Sequence, residues 1–121
     1  SDDSSVLAQV EALIKTWSEC HGKGPRVMVS LDGPHLCTDV LKEMATMSRL
    51  VTPDQYLLVQ DTKMDHGYLH FPSADYHGHN GPLCAVRRFF GDHLHLSRDF
   101  VVDRRREYLG TQHTMGWLLK T

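Results

Sequence analysis

Nowhere in this chain does an apolar run approach the ~20 residues that a membrane-spanning helix needs, so no membrane protein is expected. Nor does one sign of charge prevail. The 13 Lys and Arg residues stand against 15 Asp and Glu, a formal net charge of -2, and Arg104, Arg105 and Arg106 form one local basic cluster. So weak a field does not draw a protein onto phosphate backbones, which argues against nucleic acid as a partner. Cysteine is scarce: Cys20, Cys37 and Cys84 are odd in number and widely spaced. That usage suits reduced thiols in a cytoplasm-like compartment better than a disulfide framework. The opening Ser-Asp-Asp-Ser-Ser carries neither the basic nor the apolar segment of a secretory leader, and no internal repeat or low-complexity tract is present. A length of 121 residues allows one domain with a buried core but is short for a complete nucleotide-binding α/β enzyme.

Hydrophobic periodicity divides what remains. Val6, Leu7, Val10, Leu13, Ile14 and Trp17 recur at helical spacing, which predicts a first helix from about Ser5 to Cys20 with Trp17 in the core. After the break at 21–25, Arg26 to Leu31 is rich in apolar and β-branched residues, as a buried strand is. A second helix begins near Thr38 or Asp39, places Val40, Met44, Met47 and Val51 on one face, and stops at Thr52-Pro53. Tyr56-Leu57-Leu58-Val59 reads as another buried strand. From Thr62 to Gly81 periodicity fails and a long loop is expected. Pro82 suits the first turn of a third helix whose stripe is Leu83, Val86, Phe89 and Phe90, ending at Gly91. His93 and His95 fall near the start of the following strand, as surface residues. Phe100-Val101-Val102 is that strand, and the region from Leu109 to Leu119 holds the last one, with Trp117 in the core. The rhythm is that of an α/β open sheet whose final pair of strands forms a hairpin.

Ligands in such sheets sit beyond the C-terminal ends of the parallel strands. Asp32 follows the first strand and Gln60-Asp61 the second, so adjacent parallel strands would bring all three to one rim. Oxygen ligands of this kind suit a hard divalent cation such as Mg²⁺. The plainer alternative is that Asp32 caps a helix and Asp61 anchors the loop. Within 62–81, His66, His70, His77 and His79 crowd together with Asp65 and Asp75, which admits a transition-metal site, whereas a solvated loop covering a substrate accounts for the same residues. Tyr68, Phe71 and Tyr76 could stack on a sugar or aromatic ring, or pin the loop. Arg104 to Arg106 could hold an anionic group, or be a solvated strand end.

Three blocks, Val27-Met28-Val29-Ser30-Leu31-Asp32-Gly33-Pro34-His35, Leu50 to Thr62 ending Gln60-Asp61-Thr62, and Gly81-Pro82-Leu83-Cys84-Ala85-Val86, resemble in order and spacing those of the cephalosporin hydroxylase and rhamnosyl O-methyltransferase family. Phe100-Val101-Val102-Asp103-Arg104 and Gly116-Trp117-Leu118 are similar to its closing strands. The resemblance covers nearly the whole chain. It implies a Rossmann-like methyltransferase fold using S-adenosylmethionine, with Mg²⁺ held by acids at the ends of the fourth and fifth strands. Carried over by position, Asp32, Gln60 and Asp61 are the metal positions and His35 is a base or orienter for the substrate hydroxyl. Gln60 stands where the family has Glu, and Pro34 where it has a second Asp, so a weaker metal site is expected.

The resemblance implies a cofactor-binding half with a glycine-rich turn after the family's first strand and an acid after its second, and nothing in this sequence supplies either. The expected reading is therefore residues 1–121 as the C-terminal half of a Rossmann-like α/β domain of about four strands, without the S-adenosylmethionine-binding N-terminal half. Two functions compete: a metal-dependent O-methyltransferase, or its catalytic edge, acting on a hydroxyl of a small molecule or sugar; and a non-catalytic interaction or assembly module. A His-rich metal-binding module is a third. Half a sheet leaves an edge and apolar surface uncovered, so self-association or a complementing chain is expected.

Overall fold

The computed structural model describes residues 3–33, 36–62, 81–107 and 115–121. Helix α1 (Asp3–His21) ends where Gly22 takes a left-handed conformation, φ +76°, and donates its N–H to the Ser18 carbonyl. Glycine adopts that conformation without steric cost, which fixes the helix stop. Strand β1 (Val29–Leu31) is shorter than the apolar run that announces it. Its first residues fall outside the ladder because Val27 is tied to Thr52 instead, donating to Oγ1 at 2.8 Å and accepting from the backbone N–H at 3.1 Å.

Helix α2 (Cys37–Met47) buries Cys37, Val40, Leu41 and Met44, the i, i+3, i+4, i+7 stripe of a core-facing helix. It closes earlier than Thr52 because Ser48–Leu50 tighten into a 3₁₀ turn. Strand β2 (Tyr56–Val59) follows, and then α3 (Pro82–Asp92), with proline in the first turn, where its missing N–H costs nothing. Gly91 lies within α3, and a short helix α4 (Leu94–Ser97), absent from the sequence reading, separates it from β3 (Phe100–Val102). His93 and His95 therefore belong to a helix junction rather than a strand start. A 3₁₀ turn (Arg104–Arg106) and β4 (Trp117–Lys120) complete the described chain.

The four strands form one mixed sheet in the order β1-β2-β4-β3. β1 and β2 are parallel, with Val29 opposite Leu57 and Leu31 opposite Val59. β4 runs antiparallel to both β2 and β3, so the last two strands pair as expected, and β4 also fills the place between β2 and β3. Alternation along strands sorts the side chains onto two faces. Leu31, Leu57, Val59, Phe100 and Leu118 join Val40, Leu41, Met44, Val86 and Phe89 of α2 and α3 in one core. Tyr56, Leu58, Trp117 and Val101 fall on the opposite face, outside that cluster, and Val101 is 48% exposed.

Two expectations about packing fail. Trp17 is not a core residue: it is 39% exposed and stacks on His21 one turn along α1, while Leu13 on the same helix is 70% exposed. α1 packs on α2 but contributes nothing to the buried core cluster; Leu7, Val10 and Ile14 are half-buried, and Val6, Leu13 and Trp17 stay exposed. Trp117 is half-buried, edge-on to Tyr56 on the sheet face away from α2 and α3.

The cysteines also depart from expectation. Cys37 and Cys84 form a disulfide, with Cα atoms 5.5 Å apart, and only Cys20 is a free, exposed thiol. The physical reason is that α2 and α3 lie side by side, which brings residues separated by 47 positions together at the helix starts. This removes the thiol argument for a reducing, cytoplasmic compartment. No helix among the described residues is long and apolar enough to cross a membrane.

Candidate functional site at the strand ends

The parallel ladder of β1 and β2 sets the geometry of the rim. Leu31 pairs with Val59, and the Gln60 N–H donates to the Leu31 carbonyl at 3.1 Å, so both strands end level and Asp32 and Gln60 leave the sheet side by side. Asp32 is exposed, whereas Gln60 and Asp61 are half-buried. The Gln60 side-chain amide donates to Ser30 Oγ at 2.6 Å, which fixes its nitrogen over β1 and leaves its carbonyl oxygen as the end available to a ligand. Asp61 adopts a left-handed conformation, φ 59°, that aspartate tolerates better than most residues, and this turns the chain sharply as it leaves β2.

A further acid reaches the same neighbourhood. A Cβ placed on Gly33 would lie 3.0 Å from Glu43 Oε1, so the Glu43 carboxylate of α2 rests directly against the turn after β1. Nothing in the spacing of Glu43 marks it; it follows from the angle at which α2 returns over the rim. Among the described residues no three His, Cys, Asp or Glu side chains gather into a metal-holding group. His35 and Pro34, together with the loop residues His66, His70, His77, His79, Asp65, Asp75, Tyr68, Phe71 and Tyr76, lie outside the described residues.

The arginine cluster proves to be internally satisfied. Asp103, 5% exposed at the end of β3, accepts from Arg105 Nε on Oδ1 and from Arg105 Nη2 on Oδ2, both at 2.8 Å, and from the Tyr56 hydroxyl at 2.5 Å. Arg106 Nε donates to the same hydroxyl at 3.1 Å, and its guanidinium lies 5.3 Å from the Tyr56 ring centre. Arg104 pairs with Glu107, whose Oε2 also accepts from the Met115 N–H. Arg106 and Asp103 therefore latch the chain after β3 onto Tyr56 of β2, and Glu107 ties it to Met115 just before β4, while Arg105 and Arg104 neutralise those two acids.

Arg105 hydrogen bonds, and after them the Tyr56 hydroxyl, hold the Asp103 carboxyl well below the usual carboxylate range, and Asp103 in turn raises Arg105. Arg106 is raised chiefly by Tyr56. Because Asp103 ionises lower in the folded chain than in the unfolded one, its contribution is complete above about pH 4 and is lost as pH falls from there toward the folded value. The Asp103→Asn variant is expected to melt at a lower temperature than wild type at pH 7 and to lose less on acidification below about pH 4. Thermal melts across that range check this; parallel acid limbs would contradict it.

The described elements make a mixed α/β domain with a four-stranded open sheet, and comparison of the whole chain narrows the class. The family model described as rhamnosyl O-methyltransferase/CmcI matches residues 1–121. The chain belongs to that family, the cephalosporin hydroxylase family of O-methyltransferases. An O-methyltransferase family implies S-adenosylmethionine as methyl donor and suggests a small-molecule acceptor. No curated protein and no solved structure matches the chain significantly.

Proposed function

We propose that this chain is the catalytic-edge half of a metal-dependent, S-adenosylmethionine-dependent O-methyltransferase acting on a hydroxyl of a small molecule or sugar. The observation that carries the proposal is the level ending of β1 and β2, which delivers Asp32 and Gln60 to one rim with Asp61 next in the chain. The donor set fits Mg²⁺, which is commonly held by one or two carboxylates with waters completing its shell, and Gln60 presents an oxygen because its nitrogen is engaged by Ser30. Asp32, Gln60 and Asp61 would hold the ion, which when bound supplies stabilisation of a substrate alkoxide. The chain's own part is to orient the hydroxyl toward the methyl donor, with His35 as base or orienter by its position in the family motif.

No glycine-rich turn follows a strand among the described residues, and on this reading the cofactor half is supplied by a complementing segment. Two features support a Rossmann-like half-domain of this kind: Val101, on the sheet face away from α2 and α3, is exposed, and α1 exposes Leu13 and Trp17. Both places are suited to cover by a complementing segment or a second copy of the chain. The bond from Gln60 to Ser30 is also what favours a second reading, a non-catalytic assembly module in which the family's Glu has become a structural amide.

Calorimetric titration of Mg²⁺ discriminates the two. Wild type is expected to bind, and Asp32→Asn or Asp61→Asn to bind more weakly by about tenfold or more. Equal heats from wild type and both variants would leave the module reading.

A further inference from the structure

In the described chain each of the two strands that end at the rim is followed by a helix, α2 after β1 and α3 after β2. α2 begins at Cys37 and α3 at Pro82, with Cys84 in its first turn. The Cys37–Cys84 disulfide therefore joins the starts of the two helices that come next in sequence after Asp32 and after Gln60 and Asp61. We infer that this disulfide is a thiol–disulfide exchange site, opened by a dithiol reductant, whose state decides how tightly those two helix starts are held together. That these helices border a catalytic edge rests on the reading above; the exchange itself does not.

The two sulfurs are unequal. Cys37 is 1% exposed whereas Cys84 is half-buried, so an incoming thiolate meets Cys84 first. Its attack on Cys84 Sγ breaks the S–S bond, and Cys37 Sγ leaves with the electron pair. The departing thiolate emerges at the first residue of an 11-residue helix, where the backbone N–H groups of the first turn and the helix dipole favour negative charge, before taking its proton from the second thiol of the reductant. The second thiol of the reductant then attacks the mixed disulfide. Cys84 is released as a thiol and the reductant leaves as its own disulfide, two electrons having passed to the chain. Val40, Met44, Ala85, Val86 and Phe89 belong to the same buried cluster as Cys37, and their burial, which needs no covalent bond, is expected to keep the helices of the opened chain paired.

The test uses the chain carrying Cys20→Ser, which removes the exposed thiol from the count. It is equilibrated in graded dithiothreitol redox buffers without denaturant, quenched by alkylation and read by mass spectrometry, with amide hydrogen exchange followed in parallel. The expected result is joint alkylation of Cys37 and Cys84 with far-UV circular dichroism unchanged, and exchange at the first turns of α2 and α3 faster by about tenfold or more while β2 is unaffected. A chain carrying Cys37→Ser and Cys84→Ser should reproduce that exchange pattern without reductant. Thiols that appear only in denaturant, thiols free even under oxidising conditions, or reduction that leaves exchange at both helix starts unchanged would each overturn the inference. None of these readouts uses metal or methyl donor, so failure here and failure of the methyltransferase reading are distinguishable.

Discussion

Replacing Phe89 with alanine is expected to remove about 3–5 kcal/mol of stability, the largest effect of any single substitution in the core. Phe89 is 0% exposed near the C-terminal end of α3, with the rings of Phe90, His93 and Phe100 about 6 Å from its own. Those rings come from α3, from the junction into α4 and from β3, so the truncation empties a volume walled by three elements that move independently only if the fold opens. The cavity term therefore adds to the lost transfer energy rather than relaxing away. A chain of this size has about 5–15 kcal/mol in total, so a midpoint shift of this magnitude in urea is a large fraction of it. A loss below about 1.5 kcal/mol, as for a volume-tolerant site, would mean that α3 is not seated on the sheet as described.

Removing the Cys37–Cys84 bond is expected to cost about 4 kcal/mol at most, from the chain entropy regained when a loop of 47 residues is no longer closed in the unfolded state. The figure depends on the unfolded ensemble, so it is an upper estimate and compaction before folding reduces it. The Cys37→Ser, Cys84→Ser chain should unfold at lower urea with native secondary structure retained before the transition. Wild type in excess reductant should follow the same curve. A double variant as stable as the oxidised wild type would show that the two thiols are not bonded in the folded chain.

What the sequence discloses here follows from the range over which each interaction acts. Strand β2 and helix α3 are legible because Tyr56 to Val59 is a continuous apolar run and Pro82 opens a stripe of Leu83, Val86 and Phe89, all local patterns. The juxtaposition of Asp32 with Gln60 is legible one step further, since parallel neighbours bring equivalent strand ends together. The disulfide is not legible, because 47 residues separate its halves and only the packing of α2 beside α3 unites them. The Tyr56–Asp103 bond, also spanning 47 residues, and the Arg106–Tyr56 bond, spanning 50, escape for the same reason. Glu43 escapes because the return angle of α2, not its heptad position, carries the carboxylate to Gly33. Trp17 misleads in the opposite way. Its spacing is that of a core stripe, yet a stripe reports only that apolar surface is to be covered, not that this stretch of chain covers it.

On the proposed reading, that exposed surface of α1 connects packing to function, because a segment covering it would also bring the methyl donor. The most direct measurement is calorimetric titration of S-adenosylmethionine, with Mg²⁺ present, into the 121-residue chain and into the same chain joined to an upstream segment carrying a glycine-rich strand turn. The chain alone is expected not to bind, and the joined form to bind saturably. Binding by neither would contradict the methyltransferase reading and leave the assembly module in its place.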